Sequence, residues 1–269
     1  MALNEKDIEQ FVALFPERKA EIERFGYLQG VDSKPRVAVF GKFNHGKRTL
    51  LNALIDHEGY FKASDKRETR TNSDFADEKN GIIWFDTPGL DADVTGQDDF
   101  EANKGAFVSA DIVLMIHTLK AGELDKYEVE HISRLLHASK NDNKLLVLTQ
   151  IDQITEEQQK AVVNRIKEQL PKFEPILVSA TRYLKGVAES KDKLVELSGV
   201  PELKSKIQNL KSTIAQQRNK EVNELQQLLN HLLEEGSSSI NNKLSALNKA
   251  QNDKRNKFER KLNQIFNTF

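Results

Sequence analysis

The sequence predicts an α/β fold with a mostly parallel sheet, flanked by helices on its N-terminal and C-terminal sides. Between residues 36 and 180, short apolar runs alternate with amphipathic helical segments, the pattern of a parallel sheet covered on both faces. The segments before and after this region, 4–28 and 203–269, show helical periodicity only. A chain of 269 residues is long enough for one large domain with an appendage.

Composition excludes several classes of protein before any motif is considered. Lys plus Arg number 40 and Asp plus Glu number 41, so the net charge gives no general basis for binding nucleic acid or an acidic partner. The absence of cysteine excludes disulfide bonds and thiolate metal sites. The N-terminus lacks a signal pattern, and no apolar run approaches the roughly 20 residues that cross a bilayer. We therefore expect a cytoplasmic protein, with peripheral contact to a membrane left open.

The N-terminal segment predicts two helices. Apolar side chains recur at helical spacing, at positions 8, 11, 12, 15, 22 and 25. Asn4 or Asp7 would cap the start, and Pro16 would divide the segment because proline disrupts a helix interior. The linker 27–35 follows, with Gly30 and Pro35 as its turn residues.

Five apolar runs predict the strands of the sheet, and the segments between them predict its helices. The predicted strands are 36–40, 81–86, 111–117, 143–150 and 174–180, and the predicted helices are 48–55, a stretch around 99–108, 127–139 and 156–170. Strand signals end at Pro201. A long amphipathic helix is then expected from 203 to a break at EEGSSS (234–239), followed by a last helix over 240–269. The expected domains are a helical segment (1–34), an α/β domain (35–214) and a helical extension (215–269).

The segment GKFNHGKRTLLNAL, Gly41 to Leu54, nearly matches the phosphate-binding pattern G-x-x-x-x-G-K-[ST]. A predicted strand precedes it and a helix follows, so its backbone N–H groups would face a phosphate at the start of that helix. Lys47 would reach the β- and γ-phosphates, but Arg48 stands where the magnesium-binding hydroxyl is expected. The candidate nucleotide-binding residues of this loop are Gly41, Asn44, His45, Gly46, Lys47, Arg48 and Thr49.

Three further segments follow predicted strands in an order that suits a nucleotide site. In FDTPGL (85–90), Asp86 would hold magnesium through water and the N–H of Gly89 would meet a γ-phosphate. In LTQIDQ (148–153), Asp152 would accept hydrogen bonds from guanine N1 and N2, which adenine does not offer. In VSAT (178–181), the N–H of Ala180 would meet guanine O6. Four motifs at the carboxyl ends of strands carry weight together because ligands of such sheets bind there. The remaining candidates on the base side are Thr149, Gln150 and Ser179.

Together these motifs resemble those of the P-loop GTPases, over about residues 35–214. Within them, GKFNHGK, LLNALI and DTPGL resemble the Era-like and dynamin-like branch. The resemblance implies GTP or GDP as ligand, magnesium as cofactor, hydrolysis of GTP to GDP and phosphate, and a nucleotide-dependent dimer. It also implies a switch threonine that closes on magnesium and the γ-phosphate. The pair Thr69-Arg70 favours Thr69 over Thr71, although both would also suit an ordinary polar loop. The implied catalytic residues are Lys47, Thr69, Asp86 and Gly89, with Asp86 and Thr69 serving the magnesium ion.

Other positions modify what the resemblance implies. Asn44 occupies the loop position that marks a potassium-assisted subset of this branch, in which the ion supplies positive charge between phosphates. A solvent-facing asparagine is the alternative. Leu90 stands where Ras-type enzymes keep a water-orienting glutamine, so catalysis would need another group, ordered water or a dimer. Gln150 replaces a lysine that normally packs over the base, while Thr149 is found in dynamin-like proteins, so guanine preference would rest on Asp152.

Arg48 leaves three interpretations open. It is a substitution that weakens magnesium binding and slows hydrolysis in an ordinary GTPase, since a guanidinium does not ligate magnesium. Alternatively, Arg48 itself neutralises phosphate charge in a non-hydrolysing scaffold. In the third interpretation, it turns into solvent and leaves a slow site. Thr49 is one residue late, so its side chain would point elsewhere on the helix.

The C-terminal segment 240–269 is basic and amphipathic. Seven Lys or Arg residues stand against two acidic ones, with leucine, isoleucine and phenylalanine between them. Such a helix would bind an anionic membrane or RNA, although a solvated helix face has the same composition. A ribosome- or RNA-associated GTPase is therefore an alternative to a dynamin-like one. The leucines near 225–232 would pack on residues 8–25 as a short bundle, or the helix would simply extend the domain.

Overall fold

The computed structural model describes residues 4–31, 34–61, 73–87, 108–138 and 143–266. The described residues form a six-stranded sheet in the order β2-β3-β1-β4-β5-β6. Its strands are β1 (Arg36–Phe40), β2 (Ser73–Asp77), β3 (Ile82–Asp86), β4 (Ile112–Thr118), β5 (Lys144–Thr149) and β6 (Ile176–Leu177). Neighbouring strands pair in parallel, except that β2 runs antiparallel to β3. The predicted α/β class with a mostly parallel sheet is confirmed.

Nine α-helices lie within the described ranges. They are α1 (Glu5–Leu14), α2 (Lys19–Gly30), α3 (Lys47–Leu54), α4 (Lys126–Ala138), α5 (Glu156–Gln169), α6 (Ala180–Ala188), α7 (Asp192–Glu196), α8 (Val200–Lys211) and α9 (Ile214–Phe266). Of the two predicted caps, Asn4 is the one that caps α1, and Asp7 completes a reciprocal capping box with it. A 3₁₀ turn over Pro16–Arg18 separates α1 from α2, at the predicted proline break.

Apolar side chains cover both faces of the sheet. Val37 and Val39 of β1 belong to one core, with α3, α6 and α8, whereas Ala38 and Phe40 belong to the other, with α4 and α5. Successive side chains of a strand point to opposite faces, so the five-residue run of β1 serves both cores. This explains why the strands read as unbroken apolar runs.

The antiparallel strand β2 was not predicted. It overlaps the segment expected to be a switch loop, and its polar sequence SDFAD carries little strand signal. The turn after it contains Asn80-Gly81, and Gly81 has a φ of 58°, a left-handed conformation that glycine adopts readily. That dipeptide, between Phe75 and the apolar run of β3, is the hairpin signal that identifies the strand.

The prediction for the C-terminal helices was wrong in two places. The predicted break at 234–239 is absent, because α9 is continuous from Ile214 to Phe266 through Gly236. One helix-interior glycine costs only about 1 kcal/mol relative to alanine, and good helix formers precede it, Leu232, Leu233, Glu234 and Glu235. The break falls instead at residues 212–213. The Ser212 and Thr213 hydroxyls donate to the carbonyls of Asn209 and Leu210, which competes with continuation of α8.

Strand β6 is shorter than the predicted 174–180, because helix α6 begins at Ala180. Helices α6 and α7 had no counterpart among the predicted elements. The predicted helix around 99–108 lies almost wholly outside the described residues, as do Thr69, Thr71, Gly89 and Leu90.

The chain divides into two compact units, residues 1–222 and 223–269. The first contains the sheet. The described part of the second is helical and exposes five large apolar side chains, Leu233, Ile240, Leu244, Leu247 and Phe258. Among the described residues, no helix combines the length and apolar character needed to cross a membrane.

A buried ion-pair network joins α2 and the first residues of α9 to the start of β4. Asp111, only 3% exposed, accepts from Arg218 Nε at 2.8 Å and Nη2 at 2.6 Å, and from the Arg36 backbone N–H at 2.7 Å. Arg24 lies 3.5 Å from Asp111 and donates to both Glu221 carboxylate oxygens, at 3.0 and 2.9 Å. Charges as buried as these need such partners, so we assign the network a structural role at the amino end of the strand.

Candidate functional site

The phosphate loop connects β1 to α3 and depends on glycine at two positions. A Cβ on Gly41 would lie 2.2 Å from the Ile116 carbonyl oxygen, so the loop passes β4 too closely for any side chain. Gly46 has a φ of 83° and directly precedes the first residue of α3. Asn44 is exposed and has a φ of 61°, a conformation that asparagine tolerates better than most residues. The predicted strand-loop-helix context of the motif is therefore present.

Lys47 is buried inside this loop. Its Nζ donates to the carbonyls of Gly41 and Lys42, both at 2.9 Å. Burial lowers the pKa of Lys47 to about 8, an effect that Asp86 opposes and Arg48 reinforces. The ammonium group is thus held where phosphate would bind, with carbonyl oxygens as its partners.

Arg48 forms an ion pair with Asp86 at the end of β3. Arg48 Nε donates to Asp86 Oδ2 at 2.8 Å, and the two side chains are 21% and 4% exposed. The other oxygen, Asp86 Oδ1, is buried and has no hydrogen-bond partner within the described ranges of the chain. The interpretation in which Arg48 turns into solvent is therefore wrong for this structure.

This arrangement does not fit the magnesium ion that the GTPase resemblance implies. Magnesium requires near-octahedral oxygen ligands at about 2.0–2.1 Å. Arg48 supplies no oxygen, and its guanidinium holds one oxygen of the carboxylate that was predicted to serve the ion. The ion pair with Arg48 thus neutralises the charge of Asp86, which was predicted to serve the metal ion.

The end of β5 packs directly on the phosphate loop. Thr149 Oγ1 donates to the His45 carbonyl at 2.8 Å. A Cβ on Gly46 would lie 3.5 Å from Thr149 Oγ1 and 3.7 Å from Gln150 Nε2. Gln150 has a φ of 59°, and its Oε1 accepts from Thr118 Oγ1 at 2.9 Å. The structure therefore brings two predicted base-side residues to the loop.

The remaining base-side residues meet at the start of α6. Ser179 caps this helix and accepts from the Arg182 N–H at 3.1 Å, so Ala180 is its first residue. Asp152 Oδ2 accepts from Thr181 Oγ1 at 3.4 Å. Asp152 and Ala180, the first residue of α6, are separated by 28 positions in the sequence and lie close together in the structure.

The sequence did not predict a buried cluster of side chains behind the loop. His117 Nδ1 lies 2.8 Å from Glu128 Oε1, and His117 Nε2 lies 2.9 Å from the Gly122 carbonyl. His45 Nδ1 lies 3.4 Å from the same Glu128 oxygen and forms no hydrogen bond with any described residue. Burial lowers the pKa of His45 to about 4, so its imidazole is neutral near pH 7.

Two sequence signals mark this cluster in retrospect. His117 and Thr118 are polar residues at the carboxyl end of an apolar strand, where site residues of such sheets collect. Asp125 and Glu128 have the spacing of a capping box, and each accepts from the other's backbone N–H, at 2.9 and 3.2 Å. The three buried side chains together tie the phosphate loop to β4 and α4.

Comparison with known proteins adds independent findings. The family model described as 50S ribosome-binding GTPase matches residues 36–178. An uncharacterised protein of Acinetobacter baylyi is 33% identical over 237 residues, which are 86% of this chain and 55% of the relative. GTPase Era of Fusobacterium nucleatum is 25% identical over 161 residues, 57% of this chain and 52% of Era. The chain thus spans about half the length of these curated relatives.

A solved structure of an oligomerised bacterial dynamin pair is similar with a TM-score of 0.55 at 18% identity. The match covers 98% of this chain and 50% of that one. This similarity concerns the fold.

Proposed function

Because the chain belongs to the 50S ribosome-binding GTPase family, whose model matches residues 36–178, we propose that it is a guanine-nucleotide switch that hydrolyses GTP slowly. The observation that carries the proposal is the meeting of four motifs at the carboxyl edge of one sheet. Thr149 contacts the phosphate loop, Arg48 contacts Asp86, and Asp152 contacts the start of α6. Ligands of parallel sheets bind at this edge.

The proposed roles follow from the chemistry of each group. Lys47 and the loop N–H groups hold the phosphates, as helix N-termini do for anions in general. Asp152 accepts hydrogen bonds from guanine N1 and N2, and the N–H of Ala180 donates to O6. Hydrolysis is in-line attack of water on the γ-phosphorus, accelerated by positioning and charge. The switch roles of Thr69 and Gly89 belong to the same proposal.

Slow turnover is expected because two contributors to catalysis are missing at their usual positions. Arg48 replaces the hydroxyl after Lys47, and Leu90 replaces a water-orienting glutamine. Potassium near Asn44, or a nucleotide-dependent dimer, would supply positive charge to the phosphates. Without such help the chain is a nucleotide-binding scaffold, and the Arg48–Asp86 pair is the observation that favours this second candidate function.

A surface partner for the C-terminal helix is a further part of the proposal. At 3.6 residues per turn, Ile240, Leu244, Leu247 and Phe258 fall within about 60° of one another around α9. All four are exposed, and lysine and arginine residues flank them. A helix with an apolar stripe between basic residues suits an anionic membrane surface better than RNA, for which the apolar stripe has no use.

The first experiment tests guanine recognition. Binding of fluorescent GDP, ADP and XDP is measured for the wild type, Asp152→Asn and the exposed control Glu156→Gln. The wild type should prefer GDP over ADP by at least about a hundredfold, because adenine leaves the carboxylate without donors. Asp152→Asn should shift preference toward XDP, whose C2 carbonyl accepts from an amide. Equal binding of ADP and GDP by the wild type would refute the assignment.

Turnover separates the two candidate functions. Phosphate release from GTP is followed in potassium and in sodium, with Lys47→Ala as the inactive control. Release above that control supports a GTPase, and faster release in potassium supports a role for Asn44. Guanine binding without release in either salt supports the scaffold.

A further inference from the structure

We propose that Arg48 takes the place of the magnesium ion, so that this site binds guanine nucleotide without a divalent cation. The inference rests on the proposed guanine-nucleotide binding and concerns how the phosphates are neutralised. It starts from one contact, the 2.8 Å hydrogen bond between Arg48 Nε and Asp86 Oδ2.

Two facts about Asp86 make the contact informative. Its side chain is 3% exposed, so its charge needs a partner, and Arg48 is the cation bonded to it. Its second oxygen, Oδ1, is buried and has no hydrogen-bond partner among the residues that the structure describes. Within that part of the chain, the contact with Arg48 is the ion pair that neutralises this carboxylate.

A magnesium ion would have to compete with this pair. It would either displace the guanidinium, leaving Arg48 without its buried partner, or bind a few ångströms from a fixed positive charge. The first option breaks a buried ion pair and the second places two cations together, and both are unfavourable. Arginine stays protonated at any accessible pH. Raising the pH therefore does not remove the positive charge of Arg48 from its place beside Asp86.

Arg48 is also suited to meet the phosphates. It is the second residue of α3, next to Lys47, whose Nζ already lies inside the loop. A guanidinium carries five N–H donors, and its fork matches phosphate oxygens as well as carboxylates. Bound to Asp86 through Nε, it would place a permanent positive charge between this carboxylate and the β-phosphate, which is the position of magnesium in a site with serine or threonine.

The test measures metal dependence of binding rather than turnover. Affinity for fluorescent GDP is determined in millimolar magnesium and in EDTA for the wild type, Arg48→Ser, Arg48→Lys and the control Arg165→Ser. Arg165 lies on α5 and is 66% exposed. The wild type and the control should bind equally well in both conditions. Arg48→Ser should bind at least about tenfold more tightly with magnesium, since it regains an oxygen ligand and frees Asp86.

Electron paramagnetic resonance of manganese provides a second readout. The GDP complex of Arg48→Ser should hold one manganese ion, and that of the wild type should hold none. Arg48→Lys keeps the charge and should remain metal-independent, which controls for a folding defect in the serine variant.

Two results overturn the inference. If wild-type GDP affinity falls about tenfold or more in EDTA, or if its GDP complex binds manganese, magnesium is not replaced, while guanine binding and the proposed function stand. If the wild type binds no guanine nucleotide in either condition, the inference and the proposed function fail together.

Discussion

Lys47 and His45 lie in the same loop, and burial lowers the pKa of both, to about 8 and about 4. Near pH 7 the lysine is charged and the histidine is neutral. One side chain can therefore attract phosphate while its neighbour fills space behind the loop. Both values follow from the same physical cause, the poor solvation of a charge in a buried position.

Guanine-nucleotide affinity should fall as the pH rises above about 8. Bound phosphates favour the charged form of Lys47 and raise its pKa. The contribution of Lys47 to nucleotide affinity is therefore complete below pH 8, and it is lost as the lysine of the nucleotide-free protein deprotonates. The fall should approach tenfold for each pH unit. GDP binding between pH 7 and 9 checks this. Lys47→Arg should show a flat profile, and a flat profile in the wild type would contradict the role of burial.

His45 should contribute to acid destabilisation. Its pKa is depressed in the folded state, so stability is present above the unfolded value of 6.5 and is lost as the pH falls toward 4. Relative to His45→Gln, the wild type should therefore lose about 2 kcal/mol of unfolding free energy between pH 7 and pH 5. Urea titrations measure this.

At the scale of elements, the ion-pair network around Asp111 connects α2 and the start of α9 to the sheet. Asp111 precedes β4, whose carboxyl end carries His117 and Thr118 of the site. Helix α2 contributes Arg24, and the start of α9 contributes Arg218 and Glu221. The candidate site thus lies at the carboxyl end of β4, and the ion-pair network lies at its amino end.

Asp111→Ala should destabilise the first unit by about 3–5 kcal/mol, because it removes the carboxylate shared by the buried Arg24 and the partly buried Arg218. Chemical unfolding followed by tryptophan fluorescence reports this unit, since Trp84 lies in β3. Glu78→Ala is the matched control. The side chain of Glu78 is 74% exposed, so its ion pair with Lys34 should contribute less than about 1 kcal/mol to stability. Equal effects of the two substitutions would refute the structural role of the network.

Gly199 is the second element-scale test. It has a φ of 71° before α8, and an added Cβ would lie 1.9 Å from the Leu177 carbonyl oxygen. Gly199→Ala should cost at least about 2 kcal/mol, because strain at a left-handed residue adds to a backbone clash. Gly30→Ala, where no atom lies within 4 Å of the added Cβ, should be neutral or stabilising by up to about 1 kcal/mol. Thermal denaturation of both variants separates these effects.

At the scale of the whole molecule, the proposed nucleotide site and the proposed membrane-contact surface lie in different compact units. Each candidate nucleotide residue that the structure describes lies in residues 1–222, whereas the exposed apolar stripe of α9 lies in 223–269. The two proposals therefore concern different parts of one chain. Each proposed function can therefore be removed by a substitution in one unit while the residues of the other unit stay unchanged.

The full chain should pellet with vesicles rich in anionic lipid and much less with neutral ones. Replacing Leu244 and Leu247 by aspartate should abolish pelleting, because it removes apolar area and adds repulsion. GDP binding of this variant should be unchanged. Binding to ribosomal RNA that matches vesicle binding at the same salt would contradict the membrane preference. RNA binding lost in high salt would show a contact made by charge alone.

Most of the fold could be predicted because its signals are local. Apolar runs of β1, β3, β4 and β5 identify buried strands by themselves, and the phosphate-loop spacing lies within one short segment. Predictions failed where small local preferences nearly balance. Residues 234–239 look like a break, but cooperative helix formation carries α9 through them, whereas Ser212 and Thr213 end α8 by hydrogen bonds that spacing does not reveal.

The sequence by itself determined the α/β class, the order of the four motifs and the absence of a hydroxyl after Lys47. Only the tertiary structure decided that Arg48 binds Asp86, 38 residues away, rather than solvent. It also decided that His45, His117 and Glu128 share one buried cluster and that Asp111 joins two helices to the sheet. The physical reason is that burial and pairing of charges depend on side chains brought together from distant segments, and a local pattern carries no record of those distances.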